Sequence, residues 1–196
     1  MTQAARALAY AFESEALATA RAFFLRAEAL PFKDIDAEQS FRPEYLRLKR
    51  TTWSVAPRIE SGAYELGLVL LTKHKEESFA NIARGWALLG EGGTLVCAGA
   101  NDDGAASLEK HVAKAFVLAG SLPKFHCRVF WLKRGERQPP DYWCDLAALP
   151  PVGDGSWMSQ PEAMRLSLRS AFNATHARST LGFRVAREMT ETASNK

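Results

Sequence analysis

The chain has 196 residues, of which 47% are hydrophobic, and a formal net charge of +3 at pH 7. A chain of this size can bury one sizeable core, so we expect one domain with appendages. No apolar run approaches the roughly 20 residues that a membrane span needs. Arg6, Glu13 and Glu15 interrupt the N-terminal stretch where a signal peptide would be apolar, so the sequence predicts a cytoplasmic protein without a membrane partner.

Charge and cysteine content limit the kinds of partner. Residues 1–120 hold 14 basic and 15 acidic side chains, whereas residues 121–196 hold 11 and 7, so the basic excess is C-terminal. This excess is compatible with contact to a polyanion but is far below the dense footprint of a dedicated nucleic-acid-binding protein. The three cysteines are widely spaced and form no CxxC pair, which predicts neither a disulfide framework nor a metal site.

The N-terminal part predicts short elements. Residues 2–20 are rich in alanine and contain no Gly or Pro, which predicts an amphipathic helix with Thr2 as its N-cap. Residues 22–25 are apolar and predict a buried strand. Residues 42–50 predict a short helix with a proline in its first turn, and residues 52–56 predict a strand.

The central part alternates strands and helices. Residues 66–71 are continuously apolar, as are strands that are covered on both faces. Residues 76–89 carry apolar side chains at the spacing of a helix packed on a sheet. The glycine-rich residues 90–93 are predicted to end this helix, and they lack the Lys-Ser/Thr of a phosphate-binding loop. The remaining predicted elements are a strand at 94–98, a helix at 104–117 and a last strand at 127–132, giving right-handed βαβ units and a mainly parallel sheet.

The sequence changes character after Arg134. Residues 135–161 contain five prolines and three glycines and predict a linker between a domain at 1–134 and a C-terminal appendage at 162–196. The appendage has apolar residues at helical spacing, followed by a predicted strand at 181–185. Its apolar residues are too few for a core of their own.

Three segments carry a resemblance to a known family. They are "LLGEGGTLV" at 88–96, within a strand-helix-strand passage, "EQSFRPE" at 38–44 and "SLPKFHCRVFW" at 121–131. In this order they resemble the N-terminal domain of the 16S rRNA guanine-N2 methyltransferases of the C type, over roughly residues 20–157, although Glu91 stands where the turn usually has proline. The resemblance implies an α/β, Rossmann-like class I methyltransferase fold with a mainly parallel sheet and an antiparallel edge strand, followed here by a C-terminal appendage.

The resemblance also implies what this domain lacks. In that family the N-terminal domain is a degenerate copy, and a second copy binds S-adenosylmethionine and the target guanine. A class I site needs a glycine-rich turn after the first strand, whereas this strand runs into "RAEALPFKD" at 26–34, which has no glycine. "LTKHK" at 71–75 stands where the Asn-Pro-Pro-aromatic motif would be. We therefore expect no catalytic residue and no cofactor bound by this chain.

The expected role is that of a non-catalytic domain that supports folding or RNA contact, with 16S rRNA or a catalytic methyltransferase domain as partner. Two alternatives stay open. The chain is an S-adenosylmethionine-dependent rRNA methyltransferase acting with a separate catalytic half, or it is a truncated or fused chain without independent activity.

The tail resembles a second family. Residues 153–188, with Gly-Asp-Gly-Ser-Trp near their start and Leu-Gly-Phe-Arg-Val-Ala-Arg near their end, are similar to the closing segment of the formylglycine-generating enzyme and sulfatase-modifying-factor family. The body of that fold, with its catalytic cysteines, has no room in this chain, so no activity is carried over.

Basic residues around the last predicted strand are the candidate RNA contacts. Alternate residues of a strand share a face, so His126 and Arg128 are expected to project beside Phe130 and Leu132. A basic edge interleaved with aromatic rings can hold phosphates and stack bases. The alternative is a strand edge that charge protects from aggregation. The candidates are Lys124, His126, Arg128, Lys133 and Arg134.

Polar residues after two central strands are the second candidate site. Ligands bind at the carboxyl ends of strands in open α/β sheets. Lys73 and His74 follow one predicted strand, and Asn101 and Asp102 follow the next. They predict a vestigial small-molecule crevice, with a solvated start of the following helices as the alternative.

Overall fold

The computed structural model describes residues 1–14, 17–18 and 20–148. These residues form a seven-stranded sheet flanked by five helices. The helices are α1 (Gln3–Glu13), α2 (Arg42–Leu48), α3 (Lys75–Leu88), α4 (Ala105–Ala115) and α5 (Asp141–Ala148). The strands are β1 (Ala22–Leu25), β2 (Ile35–Glu38), β3 (Ser54–Ala56), β4 (Tyr64–Leu70), β5 (Leu89–Ala100), β6 (Gly120–Lys124) and β7 (Cys127–Lys133).

The strand order is β3-β2-β1-β4-β5-β7-β6. The first five strands in this order are parallel to one another. At one side of the sheet, β7 pairs with β5 in the antiparallel direction, and the edge strand β6 pairs antiparallel with β7. The predicted pairing of the two apolar central strands is confirmed, since Leu66 lies opposite Thr94 and Leu70 opposite Ala98. The predicted fold class, an α/β Rossmann-like sheet with an antiparallel edge, is likewise confirmed.

Both faces of the central strands are covered by apolar side chains. On one face, Phe24 and Leu68 belong to the layer that contains Leu8 of α1. On the other, Phe23 and Val69 belong to the layer formed with α3, α4 and α5. This double cover is why the sequence of β4 is a continuous apolar run without alternation.

The second strand, β2, is covered by apolar groups on one face only. Ile35 and Ala37 lie in the layer of α1, whereas Asp36 and Glu38 face the opposite side. Arg84 donates to both oxygens of Glu38, at 2.7 and 2.6 Å. No strand was predicted here, because four residues with two carboxylates do not resemble a buried strand until the partners of those carboxylates are known.

Several predicted boundaries differ from the structure. Thr2 caps α1 as predicted, accepting from the Ala5 amide at 3.2 Å, but the helix ends at Glu13 and not at residue 20. The glycine-rich residues 90–93 do not form a loop, because β5 begins directly after α3 at Leu89. The Gly92 amide donates to the Arg134 carbonyl at 3.1 Å, which extends the ladder through the glycines.

The range predicted as a linker contains a helix. In α5, Trp143 is 1% exposed and its ring stacks on Phe79 with centroids 4.4 Å apart. The Trp143 amide donates to the Pro140 carbonyl at 2.9 Å, so Pro139 and Pro140 directly precede the helix and do not interrupt it. Residues 149–161 of that range, the appendage at 162–196 and the second resemblance at 153–188 lie outside the described residues.

No helix among the described residues is long and apolar enough to cross a membrane.

The packing between β1, β4 and β5 gives a testable prediction. A Cβ added at Gly67 would lie 2.1 Å from Cζ of Phe23 and 2.9 Å from Cδ1 of Leu95. We expect Gly67→Ala to lower the free energy of unfolding by about 1–3 kcal/mol, because a filled core must shift to admit the methyl group. Urea denaturation measures the change. Gly135→Ala, with no atom within 4 Å of the added Cβ, is the control, and equal stability of the two variants would contradict this packing.

Candidate functional site at the carboxyl edge of the sheet

The strand order reverses between β1 and β4, which makes the carboxyl ends of these two strands the expected ligand-binding edge of the sheet. Three groups of residues lie along this edge in the order of the strands. They are a bridge between the ends of β1 and β4, a crevice between the ends of β4 and β5, and a cluster at the turn between β6 and β7.

Side chains bridge the position at which the strand order reverses. Arg26 follows β1 directly, and its guanidinium forms an ion pair with Glu77 in the first turn of α3. Oε2 of Glu77 accepts from the Thr72 hydroxyl, which follows β4, at 2.9 Å. We call Arg26, Glu77 and Thr72 the switch-point bridge, because they join the ends of β1 and β4, between which the strand order reverses.

The loop after β1 is hydrogen-bonded to the end of β2 and to the residue that follows it. The Ala27 amide donates to the Glu38 carbonyl at 3.0 Å, and Nε2 of Gln39 donates to the Ala27 carbonyl at 3.0 Å. A class I methyltransferase fold implies S-adenosylmethionine as cofactor. The methionine part of this cofactor must come close to the backbone after β1, which a glycine-rich turn permits because glycine has no side chain. Arg26 brings a long side chain to that place, so the residues present do not form a cradle for this cofactor.

The crevice between β4 and β5 is small. Its volume is about 170 Å³, below the roughly 300 Å³ at which pockets for small molecules begin. Of the four predicted crevice residues, Lys73 lines it, whereas His74 is the N-cap of α3 and Asn101 and Asp102 lie in the turn before α4. The structure therefore brings one of the four to the cavity.

The turn between β6 and β7 consists of two residues with unusual backbone angles. Phe125 and His126 have φ values of 52° and 59°. Such a turn favours Asn or Gly, and side chains with a Cβ cost roughly 1–2 kcal/mol per residue there. The Asn101 amide donates to the His126 carbonyl at 2.9 Å, which fixes the turn against the end of β5.

Cations and aromatic rings meet at this turn. The Arg6 guanidinium lies 4.3 Å from the centre of the Phe125 ring, and the Lys124 ammonium lies 4.7 Å from that of Tyr10. The two rings contact each other edge to face, with centroids 5.7 Å apart. Since Arg6 and Tyr10 are one turn apart on α1, the helix presents both to the hairpin. We call Arg6, Tyr10, Lys124, Phe125 and His126 the hairpin cluster.

The predicted RNA-contact residues do not form one surface. His126 lies in the turn and not on β7, so its predicted shared face with Arg128 is wrong. Arg128 does lie on the face of Phe130 and Leu132, where its Nη1 is 3.7 Å from a carboxylate oxygen of Glu109 on α4.

Two further predicted residues lie at the opposite end of β7. Lys133 is opposite Thr94 at the start of the buried part of β5, and the Arg134 amide donates to the Gly93 carbonyl at 2.7 Å. A strand of seven residues is roughly 23 Å long, so these cations are remote from the carboxyl edge. Lys124 and His126 lie at the carboxyl edge, and Arg128 is opposite Gly99, next to the last residue of β5.

Arg6 and Tyr10 were not predicted as part of a site. Their spacing of four residues was visible in the sequence, but the hairpin that they contact lies more than 110 residues further along the chain. A pairing of this kind depends on how α1 packs across β5 and β7, which no local pattern contains.

Acidic side chains limit the positive potential at this end of the edge. Burial raises the pKa of the Cys127 thiol, and the nearby charges of Asp102 and Asp103 raise it further. These carboxylates therefore lie close to the base of the hairpin. No group of three or more potential metal ligands occurs among the described residues.

No protein-family model matches the chain, and no curated protein matches it. Solved structures do. The 16S rRNA N2 G1207 methyltransferase of T. thermophilus, solved with AdoMet and guanosine, is 17% identical with a TM-score of 0.53, and the match covers 63% of this chain and 38% of that one. The ribosomal protein L11 methylase of Lactobacillus delbrueckii subsp. bulgaricus is 10% identical with a TM-score of 0.50, over 67% of this chain and 79% of that one.

TrmN from Thermus thermophilus is 17% identical with a TM-score of 0.44, over 67% of this chain and 48% of that one. Identities this low show the fold alone, and the fold is that of the class I methyltransferases. The match spans well under half the length of the 16S rRNA methyltransferase.

The switch-point bridge gives a prediction about Arg26. This residue has φ of 56°, a backbone conformation that glycine adopts without cost. Arg26→Ala removes the ion pair and keeps the strain, so we expect it to destabilise the protein by about 0.5–1 kcal/mol, since both partners are partly exposed. Arg26→Gly removes both, so we expect it to be more stable than the alanine variant by about 1 kcal/mol. Denaturant unfolding measures both variants, and the reverse order would contradict the strained conformation.

Proposed function

We propose that this chain is a non-catalytic, methyltransferase-like domain that contacts structured RNA within an rRNA guanine-N2 methyltransferase system. The observation that carries the RNA role is the hairpin cluster, in which two cations lie over aromatic rings at the ligand-binding edge of the sheet. Arg6 and Lys124 are exposed there, and Glu109, which engages Arg128, is not part of the cluster.

The switch-point bridge supports the non-catalytic part of the proposal. An ion pair and a hydrogen bond occupy the place where the cofactor of this fold would lie. The chain also has Leu-Thr-Lys-His-Lys at 71–75, after β4, in place of the Asn-Pro-Pro-aromatic motif that accepts an exocyclic amine and stacks on a guanine. S-adenosylmethionine would then be bound by a catalytic domain and not by this chain.

The comparisons support the kind of partner. The T. thermophilus neighbour methylates 16S rRNA according to its name, and its fold is shared over 63% of this chain. We infer 16S rRNA as the RNA partner. Because the match covers 38% of that neighbour, a separate catalytic methyltransferase domain is the second partner consistent with the proposal.

The cluster is suited to phosphates more than to bases. Its rings are already covered by the protein's own cations, so they have little free surface on which a base could stack. Guanidinium and ammonium groups neutralise phosphates and release counterions, which makes binding depend strongly on salt and little on sequence.

The proposal predicts weak, salt-dependent RNA binding. The full chain should bind a 16S rRNA stem–loop with an affinity that falls as salt rises from about 50 to about 200 mM. Fluorescence anisotropy measures the slope of log affinity against log salt. We expect Arg6→Ala/Lys124→Ala to reduce this slope by roughly 1.5, about 0.7–0.9 per lost phosphate contact.

The matched control is Lys133→Ala/Arg134→Ala, which removes the same charge from the opposite end of β7 and should leave the slope unchanged. Binding that does not respond to salt, or an equal effect of the two double variants, would remove the hairpin cluster as the RNA contact.

A further inference from the structure

The segment around α2 holds an unusual concentration of positive charge. Residues 40–50 contain four basic side chains and one acidic one, a net charge of +3, which equals the net charge of the whole chain. The other residues of the chain balance to zero. The basic residues are Arg42, Arg47, Lys49 and Arg50.

This segment begins at the same edge of the sheet as the hairpin cluster. It follows the carboxyl end of β2, and α2 then runs toward the opposite edge, because the next strand, β3, is parallel to β2. Four strand spacings of about 4.8 Å separate β2 from β7, so roughly 19 Å lie along the edge between the start of the segment and the hairpin. A single RNA stem with its adjoining loop can reach both.

Little of α2 contributes to the core. Leu48 is its one buried residue, whereas Leu46 is 48% exposed and the preceding Phe41 is 56% exposed. The Phe41 amide donates to Oε1 of Gln39 at 3.0 Å, and Nε2 of Gln39 donates to the Ala27 carbonyl. The backbone below the Phe41 ring is therefore fixed to the edge while the ring faces solvent.

Phe41 departs from local preference in two ways. It occupies the N-cap of α2, where its side chain makes no hydrogen bond to the helix, although Ser, Thr, Asp or Asn is favoured there. It also exposes a large aromatic ring to water. Sequences depart from such rules mainly at functional positions.

We propose that α2 is a second RNA contact, at which the Phe41 ring stacks on an unpaired base, Arg42 contacts an adjoining phosphate, and Lys49 and Arg50 contact phosphates further along the strand. This inference rests on the proposed RNA role of the domain. Sequence-tolerant recognition of unpaired nucleotides combines an exposed aromatic ring with a basic surface, because every base has a face to stack. In this arrangement the hairpin cluster contacts phosphates, and α2 contacts an unpaired base as well as phosphates.

The charge of the segment favours RNA over a protein surface. Four cations and one carboxylate within eleven residues suit a polyanion, because each Lys or Arg can neutralise a phosphate and release its counterions. Arg47 lies 3.6 Å from the Glu44 carboxylate and is partly neutralised within the helix.

The test uses the full chain and a 16S rRNA stem–loop that carries 2-aminopurine at an unpaired position. Stacking on Phe41 should quench its fluorescence. We expect Phe41→Ala to lower the affinity by about 5- to 150-fold and to abolish the quenching, while the salt slope and the affinity for a fully paired duplex stay unchanged. Phe41→Trp should restore the quenching. Leu46→Ala, on the same helix and similarly exposed, is the control and should behave as the wild-type chain.

The outcomes separate this inference from the function on which it rests. If the wild-type chain shows salt-dependent binding and Phe41→Ala binds the stem–loop equally well, the α2 contact is wrong and the RNA role stands. If the wild-type chain shows no salt-dependent binding, the RNA role itself is overturned. If Phe41→Ala keeps its RNA affinity and instead reduces self-association in sedimentation, α2 is a protein-docking surface and the inference fails.

Discussion

Apolar side chains on both faces of β4 and β5 determine where the other elements lie. A strand of this kind must be covered on both sides, so α1 packs on one face and α3, α4 and α5 on the other. The loops that leave the carboxyl ends of these strands gather at one edge. The switch-point bridge, the crevice, the hairpin cluster and the start of α2 lie along it, whereas Lys133 and Arg134 lie at the opposite edge.

The same edge carries the cofactor site in a catalytic class I methyltransferase, and in this chain the switch-point bridge lies there. Arg26 crosses from β1 to Glu77, which is held in turn by Thr72. Positive charge lies on both sides of this bridge, in the hairpin cluster and along α2. The proposed RNA role thus uses the surface on either side of the switch-point bridge and not the bridge itself.

Patterns that depend on burial were predictable from the sequence, and patterns that depend on distant partners were not. The strands β1, β4 and β5 and the helix α3 were predicted from apolar runs and spacing. The strand β2 was missed because Asp36 and Glu38 find their partners in Tyr64 and Arg84, 28 and 46 residues away. The candidate RNA residues were predicted as one strand edge, but the turn at Phe125 and His126 separates them. The predicted domain boundaries and the role of the tail stay predictions.

Calorimetric titration of the full chain with S-adenosylmethionine tests directly whether the switch-point bridge occupies the cofactor position of this fold. We expect no saturable heat of binding at physiological cofactor concentrations. Saturable binding in the low micromolar range would contradict it, since the cofactor would then have displaced Arg26 from Glu77 or found another cradle at the same edge.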